Sequence, residues 1–231
     1  MTVSSDATDA GTFLFADLAG YTALTEAHGD DEAADLAGAF CAAVRDLLPE
    51  YDAEDVKVIG DEVMVRGRNA AQALRLALRI AHDVGAQHGF PAVRVGMHTG
   101  PAVERSGDWF GATVNVAARV AGLAAAGEVL LTGATRAAAG DLDDVVLHSR
   151  GEVTLRNVGE PVVIFAALRR GRHDEAHLPV DPVCRMAVDP RHRAGMLVYD
   201  GAEYHFCSFR CVRAFAEHPD RYAHDTGAEP R

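Results

Sequence analysis

Three sets of residues in this sequence have the types and spacing that chemistry requires. Asp17 closes a compact apolar run, and Asp61 lies in the Gly60-Asp61 pair between two further apolar runs. A carboxylate at a strand end and another at a hairpin tip, brought side by side, can hold one or two Mg²⁺ ions against a polyphosphate. The residues after Asp17, Leu18-Ala19-Gly20-Tyr21-Thr22, lead into a helix whose unpaired N–H groups can receive phosphate oxygens. Taken singly, Asp17 is equally suited to cap that helix, and Gly60-Asp61 to form a plain turn. Asn115 and Arg119 are the second set: four residues apart, they share one face of a helix, and alone they read as a surface pair. The third set is Cys184, Cys207 and Cys211. The last two project from one helical turn, and the N-terminus of that helix favours Cys207 as thiolate. Three thiolates suit Zn²⁺ or Cu⁺, with His205 and His192 both open as a fourth ligand.

These side chains need elements to position them. Thr12 to Ala16 reads as the first strand, Gly20-Tyr21-Thr22 as the opening of a short helix, and Asp30 to Leu48 as a longer one. In the latter, Ala33, Leu36, Ala37, Phe40, Val44 and Leu47 recur on one face, and Asp30 or Asp31 is placed to cap it. Val56–Ile59 and Val63–Val65 form a hairpin about Gly60-Asp61. Asn69 caps an Ala/Leu-rich helix running to about Ala86, and Val93 to His98 returns as a strand that ends at Gly100. A short separate strand at Ala102 to Glu104 precedes a helix from Ala112 to Ala124. Strands at Glu128–Leu131, Val145–Leu147 and Val162–Ala167, with a helix near Thr135, complete a mixed α/β domain large enough to bury its own core. His98 and Cys41 read as structural residues. Arg169 to His177 is polar and reads as a solvated linker. The stretch beyond is too short to supply much core, for which a metal staple is a common remedy.

Composition narrows the function further. The 231 residues carry 34 acidic and 22 basic side chains, a net charge of −12, which argues against a duplex nucleic-acid binder. No apolar stretch is long enough to span a bilayer, and Met1 to Ala10 lacks signal-peptide character, so a cytoplasmic protein without membrane or nucleic-acid partners is expected. Lys57 is the single lysine in the chain.

Three segments carry a resemblance. Phe13-Leu14-Phe15-Ala16-Asp17-Leu18-Ala19-Gly20-Tyr21-Thr22, Val56-Lys57-Val58-Ile59-Gly60-Asp61-Glu62-Val63-Met64 and Asp108-Trp109-Phe110-Gly111-Ala112-Thr113-Val114-Asn115-Val116-Ala117-Ala118-Arg119 resemble, in that order, the catalytic motifs of class III nucleotidyl cyclases. The likeness runs from Gly11 to Leu168, with a compact stretch between Thr99 and Asp108 where the family often carries a longer arm. It implies a ferredoxin-like α/β sandwich that works as a head-to-tail homodimer. One protomer would supply Asp17 and Asp61 for two Mg²⁺ or Mn²⁺ ions; the other would supply Lys57, Asp108, Asn115 and Arg119. An ammonium donor beside a carboxylate acceptor matches the N1 and amino group of adenine, so ATP is the implied substrate, and 3′,5′-cyclic AMP and pyrophosphate the products. Asn115 would orient the ribose and Arg119 would stabilise charge on the α-phosphate.

Asp181-Pro182-Val183-Cys184-Arg185-Met186 and Tyr204-His205-Phe206-Cys207-Ser208-Phe209-Arg210-Cys211 resemble the YHS domain and the related small TRASH metal-binding domains. The expected organisation is therefore a flexible start (1–10), a catalytic domain (11–168), a linker (169–177), a YHS domain (178–224) and a flexible end (225–231). The expected function is an adenylate cyclase modulated by metal at the YHS domain. Its rivals are a guanylate cyclase, against which Lys57 argues, and a metal sensor whose cyclase-like part binds nucleotide without turnover.

Overall fold

The computed structural model describes residues 8–85, 89–171 and 178–223; the expected linker beyond Gly171 and most of the expected termini lie outside them. The chain opens with β1 (Thr8–Leu18), α1 (Tyr21–His28) and α2 (Asp30–Leu47), then the hairpin β2 (Ala53–Ile59) and β3 (Glu62–Gly67). It continues with α3 (Ala70–Arg79), β4 (Val93–Arg105), β5 (Asp108–Phe110) and α4 (Ala112–Leu123). β6 (Val129–Thr132), α5 (Gly133–Ala139), β7 (Val145–Val153) and β8 (Val162–Arg169) follow. The last unit comprises β9 (Gly195–Tyr199), β10 (Ala202–Phe206), α6 (Phe209–Glu217) and α7 (Pro219–Tyr222).

The large sheet has the order β2-β3-β1-β4-β6-β8-β7, with β5 paired to β4. The first four strands are mutually antiparallel, and their β-α-β-β-α-β connectivity gives the expected ferredoxin-like core. β1 reads in period two. Leu14, Ala16 and Leu18 join the core under Phe40, Val44, Leu74 and Leu78 of α2 and α3. Phe13 and Phe15 point the other way, into a core with Trp109, Val114, Ala117 and Ala121. By the same alternation Asp17 emerges on the face of Phe13 and Phe15.

Several boundaries differ from the sequence reading, β1 and β7 being longer than expected and α3 shorter, and two of the differences have a clear cause. Val93–Arg105 is one strand and does not end at Gly100, because β1 continues opposite it, pairing Gly11 with Gly100 and Ala10 with Pro101. The first residue of α2 is preceded by Gly29 at φ 93°, and no side chain caps the helix. Asp30, Asp31 and Glu32 instead occupy its first turn, where their charge meets the positive end of the dipole. Asn69 caps α3 as expected, its Oδ1 accepting the Gln72 N–H at 3.0 Å.

α4 lies unusually close to the sheet. A Cβ at Gly96 of β4 would fall 1.9 Å from the Ala121 nitrogen and 2.2 Å from its Cα, so only glycine permits this approach.

The C-terminal unit does not stand alone. Leu24 of α1 and Ala33 of α2 are fully buried in one cluster with Val183, Met186, Phe206 and Phe215. The backbone N–H of Ala187 donates to Phe90 O at 2.9 Å, and Pro91 bridges Met186. The borrowed side chains supply part of the core that the short segment lacks. Arg169, expected in a solvated linker, closes β8 and makes a two-point ion pair to Asp83 at 2.9 Å.

Candidate active site and the cysteine cluster

Asp17 is the penultimate residue of β1, and Asp61 lies in the turn between β2 and β3, the neighbouring hairpin. Antiparallel pairing of Ala16 with Val63 carries the turn to the end of β1. Burial, then hydrogen bonding to Asp17 and its negative charge, push the Asp61 carboxyl up to about 7. Glu62 is raised as well, by burial and then by Asp17. Among the described residues the cation paired with this crowd of carboxylates is Arg94, which lies opposite Asp17 across β1 and β4 and donates from Nε to Asp17 Oδ2 at 2.7 Å and again from Nη2. Acids this close, one retaining a proton near neutrality, offer the oxygen donors that a hard divalent cation takes.

The loop after Asp17 divides its tasks. Leu18 is buried in the core, and the Ala19 N–H donates to Ala92 O at 2.8 Å. Gly20, at φ 95°, turns the chain into α1, where no side chain caps the first turn. The N–H groups that open that turn, at Tyr21, Thr22 and Ala23, precede the first intrahelical bond, from Leu24 N–H to Gly20 O at 3.0 Å. The stem of Arg185 packs on Gly20, where a Cβ would lie 2.6 Å from Arg185 Cγ.

Lys57 of β2 and Asp108 of β5 meet side by side, Nζ donating to both carboxylate oxygens at 2.9 and 2.8 Å. The hydrogen bond from Lys57 holds Asp108 below the ordinary carboxylate range. Phe110 lies under the ammonium, with its ring centroid 5.7 Å from Nζ. Asn115 and Arg119 project from α4, and among the described residues neither side chain has a hydrogen bond or ion pair, so the structure does not join them to the other four. Val58, Ile59 and Phe110 are large apolar side chains left exposed around the Lys57–Asp108 pair. His98, as expected, is structural: its Nδ1 lies 2.7 Å from Thr132 Oγ1.

In the C-terminal unit the three cysteines converge. Cys184 ends a turn whose Arg185 N–H returns to Asp181 O, while Cys207 precedes α6 and Cys211 lies in its first turn. Cys184 Sγ lies 3.3 Å from Cys207 Sγ, which lies 3.9 Å from Cys211 Sγ. Asp181 is fully buried and joins the two segments, accepting N–H groups from Val183 at 2.9 Å and Cys207 at 2.8 Å. Hydrogen bonds from Cys184 and then Cys207 hold Cys211 below the ordinary thiol range. His192 and His205, the expected candidates, lie outside this cluster; His28 Nε2, from α1, lies inside it, 3.6 Å from Cys207 Sγ and 3.7 Å from Cys211 Sγ.

Residues 3–167 match the adenylate and guanylate cyclase catalytic domain family. This chain belongs to that family. A YHS domain follows at residues 180–226. The cyclase part is 39% identical over 165 residues to a pH-sensitive adenylate cyclase of Mycobacterium tuberculosis, covering 69% of this chain and 41% of that protein. It is 38% identical over 120 residues to an adenylate cyclase of Streptomyces griseus, covering 52% of this chain and 30% of the other. The chain thus spans less than half the length of these curated relatives. Among solved structures, an adenylate cyclase of Trypanosoma brucei, studied in its monomeric state, superposes with a TM-score of 0.62 at 26% identity, covering 74% of this chain and 92% of that one.

Within this cyclase the sequence motifs located Asp17, Asp61, Lys57 and Asp108, but Arg94, Glu62 and His28 were not singled out. Glu62 lies inside the second motif, directly after Asp61. Arg94 becomes visible only through the register of β1 against β4, and His28 only through docking of the YHS domain, 179 residues away from Cys207 in sequence.

Proposed function

We propose that this cyclase converts ATP to 3′,5′-cyclic AMP and pyrophosphate in the cytoplasm, as a homodimer. The observation that carries the substrate is the Lys57–Asp108 pair, a donor and an acceptor held together. Adenine offers N1 as acceptor and its amino group as donor; guanine offers the reverse order and would face ammonium with N–H. The exposed apolar side chains around the pair, Ile59 and Phe110 above all, support burial against a second copy. In that assembly Asp17 and Asp61 of one protomer face Lys57, Asp108, Asn115 and Arg119 of its partner. That all four cysteines are free supports a reducing compartment.

Asp17 and Asp61 would hold Mg²⁺ or Mn²⁺; when bound, these ions offset triphosphate charge and acidify the 3′-hydroxyl. The chain's own groups do the positioning. Lys57 and Asp108 fix the base, Asn115 orients the ribose, and the Arg119 guanidinium stabilises the charge that develops as the 3′-oxygen bonds to the α-phosphorus and the bond to pyrophosphate breaks. The open first turn of α1 takes the terminal phosphates. Cys184, Cys207 and Cys211 hold a soft ion, Zn²⁺ or Cu⁺, in the YHS domain.

The test is purified full-length protein with ATP or GTP and Mg²⁺ or Mn²⁺, with product read by mass. Cyclic AMP is expected from the parent, at least about 100-fold less from Asp61→Ala, and a weakened preference for ATP from Lys57→Glu. Absence of any cyclic nucleotide would leave the nucleotide-sensing reading, and cyclic GMP as main product would overturn the substrate.

A further inference from the structure

α1 is a strut of eight residues that starts at the phosphate-facing loop and ends at His28. The imidazole is 6% exposed, although it ends a helix next to an exposed glycine. Its Nδ1 lies 2.9 Å from Glu32 Oε1, in the first turn of α2. A carboxylate there holds the proton on Nδ1 and leaves the Nε2 lone pair aimed at the sulfurs, the arrangement that orients metal-bound histidines.

The spacing of the four donor atoms is informative. Bonds of about 2.3 Å to sulfur and 2.0–2.1 Å to nitrogen around a tetrahedral Zn²⁺ require donor separations of roughly 3.8 Å between sulfurs and 3.5 Å between sulfur and nitrogen. The observed separations are 3.3 and 3.9 Å between sulfurs and 3.6 and 3.7 Å from Nε2 to sulfur, and all four atoms lie within 4.8 Å of one another. A fortuitous buried histidine has no reason to stand at tetrahedral distance from two sulfurs. His192 is engaged with Asp189 at the surface instead.

We propose that His28 is the fourth ligand of the ion held by Cys184, Cys207 and Cys211, so that the site belongs jointly to the cyclase and YHS domains. The proposal rests on the reading that the three cysteines bind metal. Three sulfurs and one imidazole in a tetrahedral set select Zn²⁺ over Cu⁺, for which thiolates suffice. The joint site also has a mechanical consequence. At one end of α1 the Arg210 Nη1 donates to Ala27 O at 3.0 Å and the ion holds His28; at the other, Arg185, the residue after Cys184, packs on Gly20. One ion therefore fixes both ends of the helix that presents N–H groups to phosphate.

The experiment uses the full chain, stripped of metal and reloaded with Zn²⁺ or with Co²⁺ as spectroscopic probe. The expected parent result is one ion per chain, with Co²⁺ giving an intense tetrahedral d–d envelope and sulfur-to-cobalt charge transfer. His28→Ala should weaken Zn²⁺ binding by more than about 100-fold, since loss of an outer-shell partner alone costs roughly 10–100-fold. His28→Cys should restore binding and raise the charge-transfer intensity by about one third, as four thiolates replace three. That variant keeps the test decisive if His28→Ala misfolds. His192→Ala should match the parent. If the parent binds no stoichiometric ion, the cysteine reading falls and this proposal with it. If the parent binds but both His28 variants retain its affinity and spectrum, the cysteines keep their ion and His28 is excluded.

Discussion

Replacing Gly96 by alanine puts a methyl group into the tight contact between β4 and α4. At 1.9 Å from the Ala121 nitrogen, the new Cβ falls about 1.5 Å short of ordinary van der Waals contact, and the obstructing atoms are backbone. No rotamer relieves this, so α4 must move outward by about 1 Å or more. Overpacking of this kind costs about 1–3 kcal/mol, and a backbone clash belongs at the upper end. Against a total stability of about 5–15 kcal/mol the domain remains folded. Its urea midpoint should fall by about 1 M at an m-value of roughly 3 kcal/mol/M. Catalysis should suffer more than stability, because α4 carries Asn115 and Arg119, and a 1 Å misplacement costs on the order of 100-fold in turnover. Gly122, on the same helix with nothing within 4 Å of its would-be Cβ, is the internal control. Gly122→Ala should stabilise by up to about 1 kcal/mol through helix propensity and leave turnover unchanged. Urea unfolding followed by circular dichroism, beside cyclic AMP formation, reads both variants. A Gly96→Ala protein with parental midpoint and turnover would refute the close approach and the role assigned to the position of α4.

Three further outcomes are expected. Arg94→Met removes the cation that competes for Asp17, so half-maximal activity should need about fivefold less Mg²⁺, in keeping with about 1 kcal/mol for a partly exposed pair; a metal titration showing no change or the opposite would count against it. Burial lowers the proton affinity of His98, so the folded state binds fewer protons than the unfolded one below pH ~6.5. Stability is therefore full above that pH and declines as pH falls, and His98→Gln should flatten the dependence of the urea midpoint on pH between about 7.5 and 5. Asn69→Ala deletes the hydrogen bond to the Gln72 N–H and should cost about 1 kcal/mol, seen as a melting temperature lower by about 2–4 °C.

What was legible in the sequence is what is encoded locally. Asn69 before an apolar helical repeat specifies α3, and Gly60-Asp61 between two apolar runs specifies the β2–β3 hairpin that delivers Asp61. Gly100-Pro101 has the local signature of a strand end, yet β4 runs through it because a partner strand continues alongside. Arg94 is an ordinary arginine until pairing with β1 sets it opposite Asp17. His28 belongs, by sequence, to the end of a short helix, and its meaning depends on where a distant turn and α6 come to rest. Contacts decided by register and domain docking leave no local trace, and these are the ones that tune the charge of the site.

Leu24 carries a consequence for how such chains are composed. It is fully buried, in a cluster shared with Val183, Met186, Phe206 and Phe215 of the YHS domain. A cyclase domain of this type without that cover would hold a leucine in solvent on α1, forgoing roughly 1.5–3 kcal/mol of burial. The residue at position 24 is thus a written record of the appended domain, and the boundary between the two units is a seam in the sequence only: severing it would open the cluster that Leu24 and Ala33 share with Phe206 and Phe215.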